Sequence, residues 1–325
     1  MIRRALVTFA SLGLATGLAA CQIGPTHMTE GQDGQGPEPM GNATAVASPP
    51  AQDPAGEILG IGGVTDLAVD GQHIAARVAD DVLVGTLDQL RDGTARRIDA
   101  TGCTDLTGAP FVLACGETVR LIDAKGSQDE SIDIGHPIHS AVQASSGEVI
   151  AASGEENLVW VHRAGEDATQ IEVDKPTDEL LLTQGDHVLR INRETTTIQD
   201  VQWRDARQGG TLRVGLGVGT LNAGPEETAV VSDTRGNQLF LYTAGDVVRL
   251  HQTAPTEPSP YATAWYNDRA WIASTANNVA QSFDVSGGVP VEDTRFNTIA
   301  NVRVMASTSE GLILGGPAGL QVVKP

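Results

Sequence analysis

Side chains able to do chemistry recur about every forty residues along this chain. Asp66, Asp105, His139, Asp178, Asn222, Tyr261 and Asn301 each stand in or beside a short apolar run. If one axis gathers them, three carboxylates with amides and an imidazole could hold a hard cation through oxygen ligands. The simpler reading is a solvated polar channel, because short oxygen-bearing side chains are the default at strand ends. We adopt that reading, with the seven residues as the binding ring of a channel mouth.

Other chemical signals are sparse. His136-Pro137-Ile138-His139 spaces two histidines for metal binding or proton transfer. In a non-helical segment, though, they need not point the same way, and a channel-rim loop accounts for them. Gly215-Leu216-Gly217-Val218-Gly219-Thr220 has the glycines of a phosphate loop but no following Lys-Ser/Thr and no helix. Those glycines instead suit a strand that approaches its neighbours closely. The chain has no Gly-x-Ser-x-Gly elbow, His-Glu-x-x-His or Cys-x-x-Cys. No catalytic residue or resident cofactor is therefore expected, and calcium at the channel mouth is the one exception entertained. Trp160, Trp203, Trp265 and Trp271 read as packing between structural units, with Trp265-Tyr266 the pair most suited to a ligand platform.

The elements that must carry these residues form a repeat. From Gly56 onward, short Val/Ile/Leu/Thr runs alternate with Gly/Asp/Asn turns and no helical period is sustained, which predicts an all-β head. Ile74, Val112, Ile150, Leu189, Val230, Ile272 and Ile313 anchor one recurring strand, at spacings of 38, 38, 39, 41, 42 and 41. Each anchor strand has a strand before it, a turn and a strand after it, and in most units a more polar fourth strand. Four strands in about forty residues make a propeller blade. The last unit stops after its third strand at Gln321–Lys324, while Glu57–Ile61 is a spare strand before the first. We therefore expect a seven-bladed β-propeller over 56–325, closed by its amino-terminal strand. A β-sandwich does not explain the regular period.

The turn at Gly108-Ala109-Pro110 places Cys103 and Cys115 opposite each other across a hairpin of blade two. They are expected to form a disulfide in an oxidising compartment. Two buried thiols are the alternative, and no third ligand completes a metal site.

The amino terminus reads as an address. Arg3 and Arg4 precede an uncharged stretch, Ala5 to Ala20, that is too short for a usual membrane span. The stretch ends in Leu18-Ala19-Ala20-Cys21, which resembles the bacterial lipobox. That resemblance implies a signal peptide over 1–20, cleavage before Cys21 and a diacylglyceryl thioether on Cys21, whose several acyl chains give durable anchoring. Residues 21–55 hold six prolines and no periodicity, and are expected to be a disordered tether reaching about 30 Å.

Lys and Arg number 21 against 41 Asp and Glu, a formal charge of -20. Cleavage would leave 19 basic residues and a charge of -22. Such an excess argues against nucleic-acid partners and against electrostatic docking on anionic lipid. The 37 glycines and twelve aromatics fit an aliphatic core spread over small sheets.

Segments such as Trp271-Ile272-Ala273-Ser274-Thr275-Ala276-Asn277-Asn278-Val279 and Val230-Val231-Ser232-Asp233-Thr234-Arg235-Gly236-Asn237 resemble YVTN-type and quinoprotein-like propellers. Some lactonases of that kind gather Asp, Glu and Asn around calcium, so the resemblance admits a channel-mouth enzyme of lactonase or lyase type. The whole layout is similar to the actinobacterial LppL prolipoproteins, which implies a surface lipoprotein. The reading at this point is a monomeric, lipid-anchored scaffold on the extracytoplasmic face of the cell membrane. Its partner would be an envelope protein or a small molecule.

Overall fold

The computed structural model describes residues 40–126 and 129–325. The signal peptide, Cys21 and the first part of the expected tether lie outside them. Among the described residues are seven four-stranded antiparallel sheets; in six the strands lie in sequence order, and the seventh takes its outer strand from the amino-terminal end. The chain is a seven-bladed β-propeller, as its period predicts.

The first strand of each blade faces the axis: Val64–Asp70, Cys103–Thr107, Ser140–Gln143, Glu179–Leu182, Val218–Ala223, Pro260–Tyr266 and Val304–Thr308. The seven anchor residues all fall in the second strands, and none exposes more than 1% of its surface. These strands are apolar on both faces because both are covered. Seven core clusters of buried residues exist, one between each pair of neighbouring blades. In blade three, Ile150 and Ala152 pack toward blade four while Val149 and Ala151 pack toward blade two. Strict alternation of a two-sided strand thus produces a continuous apolar run.

Ring closure follows the sequence reading. Glu57–Leu59 pairs antiparallel with Gly319–Val323, in register Glu57 to Val322 and Leu59 to Leu320. It supplies the outer strand of the seventh blade, so the ring has no open seam. Arg91 clamps this strand to blade one through a two-point ion pair with Glu57, at 3.0 and 2.8 Å. Arg91 belongs to a short helix, Leu87–Arg91, inserted in blade one. The helix is set by a capping box in which Gln89 and Thr86 exchange hydrogen bonds.

Cys103 and Cys115 face each other in the ladder and form a disulfide, with sulfurs 2.01 Å apart. Trp160 lies in blade three, Trp203 in blade four, and Trp265 and Trp271 both in blade six. Trp160, Trp203 and Trp271 fill inter-blade cores, and Trp265 packs at the edge of another.

Residues 40–55 differ from the tether expected there. They lie along the face on which the first strands begin, held to blades four to seven. Gly41, Ala43 and Ala45 turn inward and are buried, while Asn42, Thr44 and Val46 are exposed. No strand forms here, and Gly41 and Asn42 have positive φ (81° and 45°), but burial alternates from 41 to 46 and its buried residues are too small to register as a hydrophobic pattern.

Candidate functional site

The central channel widens into a cavity of about 480 Å³ lined by first-strand residues of all seven blades. Its charged end is built by Asp66, Asp105, Glu179 and Arg303. From there it runs along the first strands past Leu181, Ala223 and Ser307, toward the face on which those strands end.

Hydrogen bonds between neighbouring first strands fix this lining. Asp66 accepts from its own strand at Leu67 N (2.9 Å) and from blade two at Leu106 N (2.9 Å). The Ser140 hydroxyl of blade three donates to Asp105 and accepts from Leu180 N of blade four at 2.9 Å. Thr220 donates to Tyr261 O at 2.7 Å, and Asn222 donates to Thr263 O and Met305 O, both at 3.1 Å. Polar side chains therefore stitch the inner ring where apolar ones would face water.

Three carboxylates meet at the charged end. Burial raises the Asp66 carboxyl well above its usual range, and the nearby charge of Asp105 adds to the effect. Burial also raises Asp105, against the hydrogen bond from Ser140. Burial pushes Glu179 up to about 7, although Arg193 opposes the shift. Arg193 donates to Glu179 Oε2 at 2.6 Å and to Gly219 O at 2.9 Å. Burial pulls the Arg193 guanidinium down, but the Glu179 charge and its neighbours leave it above the ordinary arginine value. Arg303 stands over the Tyr261 ring, 5.5 Å from its centroid. Burial lowers its pKa, and its Nη1 is buried without a hydrogen bond among the described residues.

Of the seven ring residues read from the sequence, Asp66, Asp105 and Asn222 line the cavity. The other four lie behind or outside it. Asp178 accepts the Arg193 backbone N–H at 2.6 Å, and its neighbour Glu179 takes the channel position. Tyr261 lies under Arg303 rather than in the cavity lining. Asn301 holds Ser48 of the amino-terminal segment. His139 packs its ring beside Gly154 and bonds through its backbone to Ala152 and Thr104.

Glu179, Arg193 and Arg303 were not singled out from the sequence. The signal available for blade four was cationic: its anchor strand reads Leu189-Arg190-Ile191 where other blades carry Ala, Leu or Val after the anchor. Arg190 is fully buried and spends its donors on Gln199, Pro176 O and Thr177. The charge that reaches toward the axis comes three residues later, from Arg193.

Carboxylate oxygens at this end accept from backbone, serine and arginine donors. No group of three or more His, Cys, Asp or Glu among the described residues is placed to hold a metal ion. His136 stacks on Trp160 with centroids 4.7 Å apart. The glycine run serves close approach. Asp233 accepts from Leu216 N (3.0 Å), Gly217 N (2.8 Å) and Gly236 N (2.9 Å). Gly215 has φ +50°, and a Cβ there would lie 1.7 Å from Asp233 Oδ2.

No protein-family model and no curated protein matches the sequence. Solved structures do. A streptogramin B lyase superposes with a TM-score of 0.65 at 7% identity, over 81% of this chain and 93% of that one. Virginiamycin B lyase from Staphylococcus aureus gives 0.63 at 11% identity, over 83% and 99%. The Cps50 (Swd1) propeller domain from Myceliophteria thermophila gives 0.63 at 13% identity, over 81% and 97%. The two lyases and the Cps50 domain align about equally well, all below 25% identity, so these likenesses establish the seven-bladed fold and leave activity to the site itself.

Proposed function

We propose that the protein is a lipid-anchored, extracytoplasmic binding module whose propeller holds a polar ligand or a segment of an envelope protein in its central channel. The cavity's charged end carries this reading. Three carboxylates are forced together with raised pKa values, an arrangement that costs stability and that a packed channel would not need. A rigid ring with a charged floor and an open mouth is suited to preorganised binding.

The anchoring half of the proposal rests on the Leu18-Ala19-Ala20-Cys21 pattern and on the likeness of the layout to LppL-type prolipoproteins. The Cys103–Cys115 disulfide supports an oxidising compartment. Cys21→Ser should move the protein from the membrane fraction to the soluble one, and retention would remove the anchor. A photo-crosslinker at Leu182 on the channel rim should capture a specific partner or ligand in intact cells. One at Val291, which is 64% exposed on an outer strand, should not. Equal capture from both positions, or none from Leu182, would overturn the channel reading.

Glu179 favours a second reading. A carboxyl titrating at about 7 beside a cavity suits general acid–base work of the lyase kind. Turnover of a captured small molecule, abolished in Glu179→Gln, would replace binding with catalysis.

A further inference from the structure

The segment 41–49 is bound to the propeller as a ligand would be. Its backbone is read along its length. Gly41 N donates to Leu216 O at 2.9 Å and Asn42 N to Arg193 O at 2.6 Å. Val46 N donates to Ser259 Oγ at 3.0 Å and Ser48 N to Asn301 Oδ1 at 2.9 Å. Asn278 Nδ2 donates to Pro49 O at 2.8 Å, and Arg303 Nη2 to Ala45 O at 3.4 Å. Main-chain bonds of this kind fix an extended peptide irrespective of most of its side chains.

Side-chain selection comes from the inward positions. Ala43 and Ala45 expose 8% and 6% of their surface. A Cβ on Gly41 would lie 2.0 Å from Glu194 O, and one on Gly217 in the floor would lie 2.8 Å from the Ala43 Cβ. The groove therefore accepts only glycine, alanine or similarly small residues at the alternate positions 41, 43 and 45.

The built-in segment does not exhaust the groove. Asn278 is 5% exposed and bonds the segment through Nδ2, while its Oδ1 makes no hydrogen bond among the described residues. Arg303 bonds it through Nη2, while Nη1 makes none. A buried polar atom without a partner costs about 1–3 kcal/mol. A peptide bringing a donor to Asn278 and an acceptor to Arg303 would satisfy both.

We propose that this face is a binding site for extended peptides with small residues at alternate positions, and that residues 41–49 are its built-in competitor. The site lies at the end of the propeller away from the face toward which the channel cavity runs, and it shares Arg303 with the cavity's charged end. Because the competitor is tethered next to the site, its effective concentration reaches about the millimolar range. An outside peptide gains access only by binding better or when the segment withdraws.

The test uses the full chain and a fluorescein-labelled peptide of sequence 38–51. In Ala43→Glu/Ala45→Glu the built-in segment no longer fits, and fluorescence anisotropy should show micromolar binding of the peptide. The wild-type chain should bind it at least tenfold more weakly, and adding Asn301→Ala to the variant should weaken binding again. Ser48→Ala, a milder release that removes the side-chain bonds to Thr275 and Asn301, should give intermediate affinity and guards against misfolding of the double variant. The same labelled peptide carrying leucine in place of the residues that correspond to Ala43 and Ala45, the two buried at 8% and 6% exposure, should bind none of them. Absence of binding to folded released variants would overturn the proposal, as would equal binding to wild type and variants.

Discussion

Replacing Glu179 with glutamine should make the protein more stable at pH 8 and leave it unchanged near pH 4.5. The Glu179 carboxyl is pushed up to about 7 from an ordinary 4.5, by burial working against Arg193. A group that holds its proton more tightly folded than unfolded contributes stability below its unfolded pKa. That contribution is lost as the pH rises through the folded pKa, so the window here is pH 4.5 to about 7. The full shift corresponds to about 3.4 kcal/mol at about 1.36 kcal/mol per unit. The side chain keeps 23% of its surface open to the channel, where water screens the charge. We therefore expect about 1–2 kcal/mol to survive, or roughly 2–4 °C in melting temperature for a domain of this length. Thermal melts of both proteins from pH 4.5 to 8.5 at constant ionic strength measure it, and only their difference matters, since other carboxylates titrate in both. A pH-independent difference would refute the reasoning. So would a wild type that gains on the variant as pH rises, because the Arg193 ion pair would then outweigh burial.

Three further outcomes follow from the fold. Replacing Cys103 and Cys115 by serine opens a loop with a sequence separation of 12 and should cost about 3 kcal/mol. Reductant should lower the wild-type melt similarly and leave the double variant where it is; a variant melting with the wild type would show that the bridge contributes nothing. Ile150→Ala empties a fully buried position between blades three and four, and urea titration should show a loss of about 2–5 kcal/mol. Arg91→Ala removes an ion pair whose side chains are 37% and 45% exposed; it should cost under about 1 kcal/mol, and a larger loss would mean that this clamp, not strand pairing, holds the ring closed.

The sequence displayed the fold because a propeller writes its core as a period. Each second strand is covered on both sides, so Ile74, Val112, Ile150 and most of their counterparts stand in apolar runs, and the third strand of most blades repeats the pattern one turn later. The spare strand at Glu57 and the missing fourth strand after Val323 could then be paired by counting alone. The short helix Leu87–Arg91 was less visible. Its capping box spans only Thr86 to Gln89, and five residues make no period. The segment 40–55 was hidden for a different reason. Its inward residues are Gly41, Ala43 and Ala45, and a segment that buries only small side chains has the composition of a linker.

Chemistry at the axis was only half legible, and pleat explains which half. A repeat locates a strand to within a residue, but neighbouring residues on a strand point opposite ways. Asp66, Asp105 and Asn222 were placed correctly in the lining, whereas in blade four the same register chose Asp178 over Glu179. In blade seven it chose Asn301, two residues short of Arg303, and Asn301 lies before the first strand, which begins at Val304. No local pattern announces that carboxylates from blades one, two and four will share one floor, or that Arg193 will reach them from a second-strand turn. Those contacts arise from ring closure, and only closure brings residues some 40 to 110 positions apart within range of each other's charge.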